Sequence, residues 1–204
     1  VTAATGLSLY NNLTIDGAVA LDTNVAAITL AANSTINATG GSDAAVALAD
    51  VTGDFDLTVT GDTGAGGSAI TLDGADVNAL SLAGGVLTLN GDVESDGALD
   101  FTSVDAITLG GNVLITGDDG GTKKDITFDA ANIITGANTL SLAGDTVTLY
   151  QVGDGTTDPT QLTVTAAKET EETTITSFLP ESKEVVVLNL SFSISSLIER
   201  SFSM

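Results

Sequence analysis

ALSLAGGVLTLNGD at residues 79–92 and TLSLAGDTVTLYQVGD at residues 139–154 carry the same words in the same order. Each has Leu-Ser-Leu, a small turn, and then an apolar-Thr-Leu triplet. The triplet of apolar, small polar and apolar residues recurs along the chain as Ile28-Thr29-Leu30, Ile70-Thr71-Leu72, Leu80-Ser81-Leu82, Leu87-Thr88-Leu89, Ile107-Thr108-Leu109, Ile126-Thr127-Phe128, Leu140-Ser141-Leu142 and Val147-Thr148-Leu149. A period of two places the flanking apolar residues on one side of a strand and the hydroxyl on the other. Thr and the β-branched residues favour such strands, and residues 1–167 contain no stretch with helical periodicity.

The words also recur at long range. One candidate column starts at Val19, Val46, Ile70, Leu99 and Ile126, and a second at Ile28, Leu57, Leu80, Ile107 and Leu140. A third is marked by Leu87, Val113 and Val147. Three short strands in a unit of roughly 27 residues, each closed by Gly, Asn or Asp, are the pattern of stacked repeats. One unit cannot bury its own apolar face, whereas stacked units share a continuous core. The predicted fold is all-β: a right-handed parallel β-helix, a three-sided solenoid of about five to six coils. A β-sandwich is the alternative, although strands of three to five residues are short for one. GDTGAGGS (61–68) has no strand word and is predicted to project as a loop.

Composition explains the turns and removes several chemistries. The 204 residues hold no Cys and no His, 27 Asp plus Glu against five Lys plus Arg, and a net charge of −22. A Ser-His-Asp triad, a Cys-His dyad and an ordinary zinc site are therefore impossible. The charge repels phosphate backbones, so no nucleic-acid partner is expected. No apolar run reaches the roughly 20 residues that span a bilayer. No charged-then-apolar secretion signal is visible either, as in a processed chain or an internal piece of a longer one.

The acid and the glycine are uneven. Residues 1–167 carry −19 and all 23 Gly, while residues 168–204 carry −3 and lack Gly, Asp and Ala. Asp and Gly are turn residues, so the first segment is the predicted solenoid (1–167). The second (168–204) is a predicted C-terminal cap, hairpin or strand-exchange segment. In it Leu188, Leu190, Phe192 and Ile194 alternate with Asn189, Ser191, Ser193 and Ser195, and TTITSFL (173–179) is the candidate hairpin partner. Residues 185–195 would also serve homo-oligomerisation by strand addition.

LTLNGDV (87–93), NVLITGDDG (112–120) and NTLSLAGDTVTL (138–149) resemble the filamentous-haemagglutinin and autotransporter-adhesin passengers in rhythm and composition, over about residues 7–167. Those are bacterial surface proteins built as right-handed parallel β-helices. The resemblance implies an extracellular, non-enzymatic role: a rod-like stalk presenting loops such as 61–68 and 117–125 to a host surface, a glycan or sister subunits. Two alternatives stand beside it. One is a self-assembling surface-layer or filament subunit. The other is a carbohydrate-active β-helix enzyme using Asp carboxylates.

Four carboxylates are candidate calcium ligands. Asp54 and Asp56 flank Phe55, which on a regular strand would put both on one face, and Asp118 and Asp119 sit beside Lys123 and Lys124. Carboxylate oxygens are the ligands calcium prefers. No calcium-loop motif frames any of the four, and solvated turn carboxylates are the simpler expectation. No other cofactor is expected. Outward Thr29, Thr71, Thr88, Thr108, Thr127 and Thr148 are predicted to form rows, the ordinary polar exterior of Thr-rich strands. Thr-x-Thr words such as Thr58/Thr60 and Thr163/Thr165 stand in isolation. Aromatic platforms for sugars are limited to Tyr10 and Tyr150.

Overall fold

The computed structural model describes residues 6–21, 25–38, 44–61, 67–154 and 156–166, and the backbone of 186–190. Among the described residues there is no helix, and therefore none long and apolar enough to cross a membrane. Among the described residues, strands pair in parallel apart from one two-residue hairpin. That pattern rejects the β-sandwich alternative, because sandwiches are antiparallel. The chain is a parallel β-solenoid of about six turns.

Three columns of stacked strands make the wall. The first runs Leu7, Ile28, Val51, Ala75, Val93, Ile115, Leu142 and Val164. The second passes through Ser34, Leu57, Leu80, Leu99, Ile126 and Val147. The third is Val19, Val46, Ile70, Leu87, Ile107, Ile134 and Val152. Six steps separate Val19 from Val152, a mean of about 22 residues per turn. At roughly 4.8 Å per step, this column is about 29 Å long.

The bore is filled as the period-two words require. Val46, Leu48, Ile70, Leu72, Leu87 and Leu89 are fully buried, as are Ile28, Ile36, Val51, Val59, Val93 and Ile115. Each such aliphatic side chain contributes about 1.5–3 kcal/mol on leaving water. Phe101 and Phe128 lie in the same core, stacked with ring centroids 5.0 Å apart, so the bore also admits aromatics where two coincide on adjacent turns. No buried side-chain polar atom among the described residues lacks a hydrogen-bond partner.

Two expectations about the repeat need correction. The unit averages about 22 residues rather than 27, and the three sequence columns mix faces. Leu99 and Ile126 belong to the second column, whereas Ile70 stacks on Leu87 in the third. Leu87, Val113 and Val147 fall in three different columns. The cause is corner length. Third-column steps are 27, 24, 17, 20, 27 and 18 residues, so spacing alone cannot tell a strand's successor from its neighbour around the perimeter.

The strand at 186–190 pairs in parallel with 161–166, Leu162 opposite Val186 and Ala166 opposite Leu190. Its 24-residue step from Val164 to Leu188 matches earlier first-column steps, which run from 18 to 27. The backbone at 186–190 is thus one more rung of the first column. The proposed hairpin partner at 173–179 and residues 191–195 lie outside the described residues, as do 62–66 of the predicted loop at 61–68.

Candidate interaction surfaces

Asp118 and Asp119 sit on the hairpin that leaves the wall. Asp118 pairs antiparallel with Lys123, and Asp119 with Thr122. Gly120 and Gly121 turn the chain at φ +57° and +95°. Two successive positive-φ residues give the twist that two-residue hairpins favour. The Lys123 ammonium donates to Asp118 Oδ2 at 2.8 Å and the Lys124 ammonium to Asp119 Oδ2 at 3.3 Å. Gly121 N–H also donates to Asp118 Oδ1 at 2.6 Å. Asp118 and Asp119 are therefore each ion-paired with their own lysine.

The Lys123 hydrogen bond, and then that of Gly121, hold the Asp118 carboxyl below the usual carboxylate range. A depressed carboxyl contributes to order above its unfolded pKa, and the contribution is lost as pH falls through the folded pKa. The hairpin is therefore expected to loosen below the usual carboxylate range while the bore stays formed. An NMR pH titration checks this: Gly120 and Gly121 amide shifts should follow Asp118, and bore methyl shifts should not. Asp154 is held low in the same way by the Thr157 and Thr156 N–H groups of its turn.

Asp54 and Asp56 occupy an irregular corner where the register slips between Gly53 and Asp56, which breaks the alternation expected to align them. Asp56 bridges three turns. It accepts from Asn33 Nδ2 at 3.0 Å and Asn78 Nδ2 at 2.5 Å, and its own N–H donates to Asn33 Oδ1 at 3.1 Å. This amide–carboxylate ladder ties turns together at the surface. Among the described residues, no group of three or more Asp or Glu is arranged to hold a metal ion. Asp54/Asp56 and Asp118/Asp119 lie on different turns.

The three outer faces differ sharply, and that difference is the main site feature that linear reading misses. On the first column, Thr52, Asp76, Glu94 and Thr116 stack in register. Asp50, Asp73 and Asp92 join Thr52, Asp76 and Glu94 around an open groove of about 400 Å³. Two of these acids are engaged locally: Asp73 accepts from Asn90 Nδ2, and Asp92 from Leu114 N–H, both at 2.8 Å. The second column presents Thr35, Thr58, Ser81, Asp100, Thr127 and Thr148.

The third column carries no charge in its two outward files. Ala20, Ala47, Thr71, Thr88, Thr108 and Thr135 stand in register. Beside them, one strand position back from the inward file, are Ala18, Ala45, Ala69, Val86, Ala106 and Ile133. All are half-buried or exposed, and Val86 is 41% exposed. The Thr rows expected from sequence are thus divided: Thr29 on the first face, Thr127 and Thr148 on the second, and Thr71, Thr88 and Thr108 together on the third. Tyr10 and Tyr150 are exposed, at opposite ends of the described rod. In comparisons with known proteins, the chain matches no protein family, no curated protein and no solved structure.

Proposed function

We propose that this chain is a non-enzymatic structural and adhesive module of a bacterial cell-surface or secreted protein, akin to the adhesin passengers it resembles. It acts as a rod whose lateral surface meets a host surface, a glycan or a sister molecule outside the cell. The two uncharged files of the third face carry this reading. On a molecule of net charge −22, most neighbours of like sign are repelled. Two straight files of Ala, Val, Ile and Thr give a strip, bordered by the exposed Asp105, on which close contact itself needs no charge to be desolvated. The strands behind that face are hydrogen-bonded on both sides within the wall, so its geometry is set before any partner arrives.

The test compares faces. The full chain is assayed for binding to host cells, glycan arrays and itself, with Thr88→Glu plus Ala106→Glu on the third face and Thr127→Glu on the second. The double variant is expected to lose about tenfold or more in affinity, or about 1.4 kcal/mol, and the second-face variant little. Equal loss from both would defeat the reading, as would loss from neither. Binding to itself alone would favour the self-assembling subunit. A screen for turnover on acidic and neutral polysaccharides addresses the enzyme alternative. Turnover abolished by Asp118→Asn plus Asp119→Asn would replace the adhesive reading.

A further inference from the structure

The chain contains a single Asn-Gly pair, Asn90–Gly91, and the fold sets it at the corner that ends the third-column strand of the central turn. Asn90 is exposed, and its side-chain amide donates to Asp73 Oδ1 at 2.8 Å. Its backbone N–H is held by the Leu72 carbonyl at 2.9 Å. The Gly91 N–H has no hydrogen-bond partner among the described residues. A Cβ on Gly91 would fall on the Asp73 carbonyl oxygen, so the corner requires glycine. That requirement leaves the backbone nitrogen after Asn90 without the shielding of a side chain on its own residue.

We propose that Asn90–Gly91 is a site of spontaneous covalent modification, with Asp73 as the positioning residue that restrains it. The Gly91 backbone nitrogen gives its proton to a solvent base and attacks Asn90 Cγ. The new C–N bond closes a five-membered succinimide, the Cγ–Nδ2 bond breaks, and Nδ2 leaves as ammonia after taking a proton from water. Water then opens the ring at either carbonyl, giving aspartate or isoaspartate. Water is the only co-reactant, and no electrons are exchanged.

Asp73 opposes the first step in two ways. Its hydrogen bond keeps the amide turned toward the neighbouring rung, and its negative charge disfavours the anionic tetrahedral intermediate. Once the reaction occurs, the Asn90–Asp73 hydrogen bond becomes two facing carboxylates beside the acidic groove that Asp73 and Asp92 line. The isoaspartate product adds a main-chain methylene where Gly91 already lies against the Asp73 carbonyl. Either product is expected to loosen the central turn and to add a second charge beside Asp73 at the rim of the uncharged files.

The experiment ages the full chain at mildly alkaline and mildly acidic pH, then maps peptides by mass spectrometry with an isoaspartate-specific methylation readout. Amide-to-acid conversion is expected at Asn90, faster at alkaline pH, while Asn112 and Asn138 remain amides. Asp73→Ala and Asp73→Asn, checked as folded by circular dichroism, should each convert several-fold faster, and Asn90→Ser should show no conversion there. Conversion at Asn90 no faster than at Asn112 and Asn138 would overturn the site. Unchanged rates in both Asp73 variants would overturn the positioning role.

Discussion

Replacing Leu87 by Ala is expected to destabilise the rod by about 2–5 kcal/mol. Leu87 has no exposed surface and stacks between Ile70 and Ile107. Truncation removes its transfer energy and leaves a cavity that neighbours on a hydrogen-bonded wall cannot collapse to fill. In a globular core, contacts from other directions bridge such a gap. In a solenoid, each turn touches only the turns beside it, so coupling between the two halves of the rod passes through this layer. A urea titration followed by circular dichroism should show an earlier onset and a broader or split transition. Native-state hydrogen exchange should lose protection first around Ile70, Leu87 and Ile107. The neighbouring outward variant Thr88→Ala should move stability by less than about 0.5 kcal/mol. Equal effects at the two positions would contradict the inward and outward assignment.

Gly136→Ala is expected to be comparably severe for a backbone reason. Gly136 has φ +113°, and a Cβ there would meet the backbone oxygen and nitrogen of Leu109 on the turn above. The same corner is tied on both sides: Gly136 N–H donates to the Thr157 carbonyl at 2.6 Å, and Asn138 Nδ2 to the Leu109 carbonyl at 2.8 Å. Positive φ costs an L-residue about 1–2 kcal/mol. Forcing the neighbouring backbone aside adds about 1–3 kcal/mol. The comparison is Gly120→Ala at the hairpin tip, where φ is +57° and a Cβ meets open space. Only the conformational cost applies there, and it stays local to the hairpin. Thermal melts of the two variants should separate clearly, with Gly136→Ala the lower. Coincident melts would mean that the corner yields more easily than its contacts imply.

Much of this architecture is legible in the chain because the bore imposes it residue by residue. Words such as Ile70-Thr71-Leu72 and Leu87-Thr88-Leu89 have inward ends that are fully buried and a Thr that is not. Their stacking partners are less legible. Corners absorb length differences of up to ten residues between successive third-column strands, so Ile70 pairs with Leu87 and not with the better-spaced Leu99. The surfaces inherit that ambiguity. Asp50, Asp73, Asp76, Asp92 and Glu94 span more than forty positions and meet only because three turns stack in register. The uncharged face is hidden for the same reason, since its Ala and Thr files take one or two residues from each turn. The ion-paired hairpin had a local signal, Asp118-Asp119-Gly120-Gly121 followed by two lysines, but reading those acids as free carboxylates obscured it. The carboxylate at Asp56 is claimed by Asn33 and Asn78, whose distances in sequence are 23 and 22 residues.

The unequal steps between stacked strands have a consequence for how such a chain can change. Third-column intervals range from 17 to 27 residues, yet the inward files of Leu, Ile and Val keep register across all of them. Insertions and deletions are therefore absorbed at the perimeter, where loop closure rises only slowly with length. A gene for this rod can gain or lose a corner segment without shifting which residues face inward. The hairpin between Thr116 and Ile126 marks one place where such an excursion is already accommodated. Corners joining buried strands are thus the natural ports for grafted peptides, whereas a one-residue insertion inside a triplet would turn its apolar ends outward.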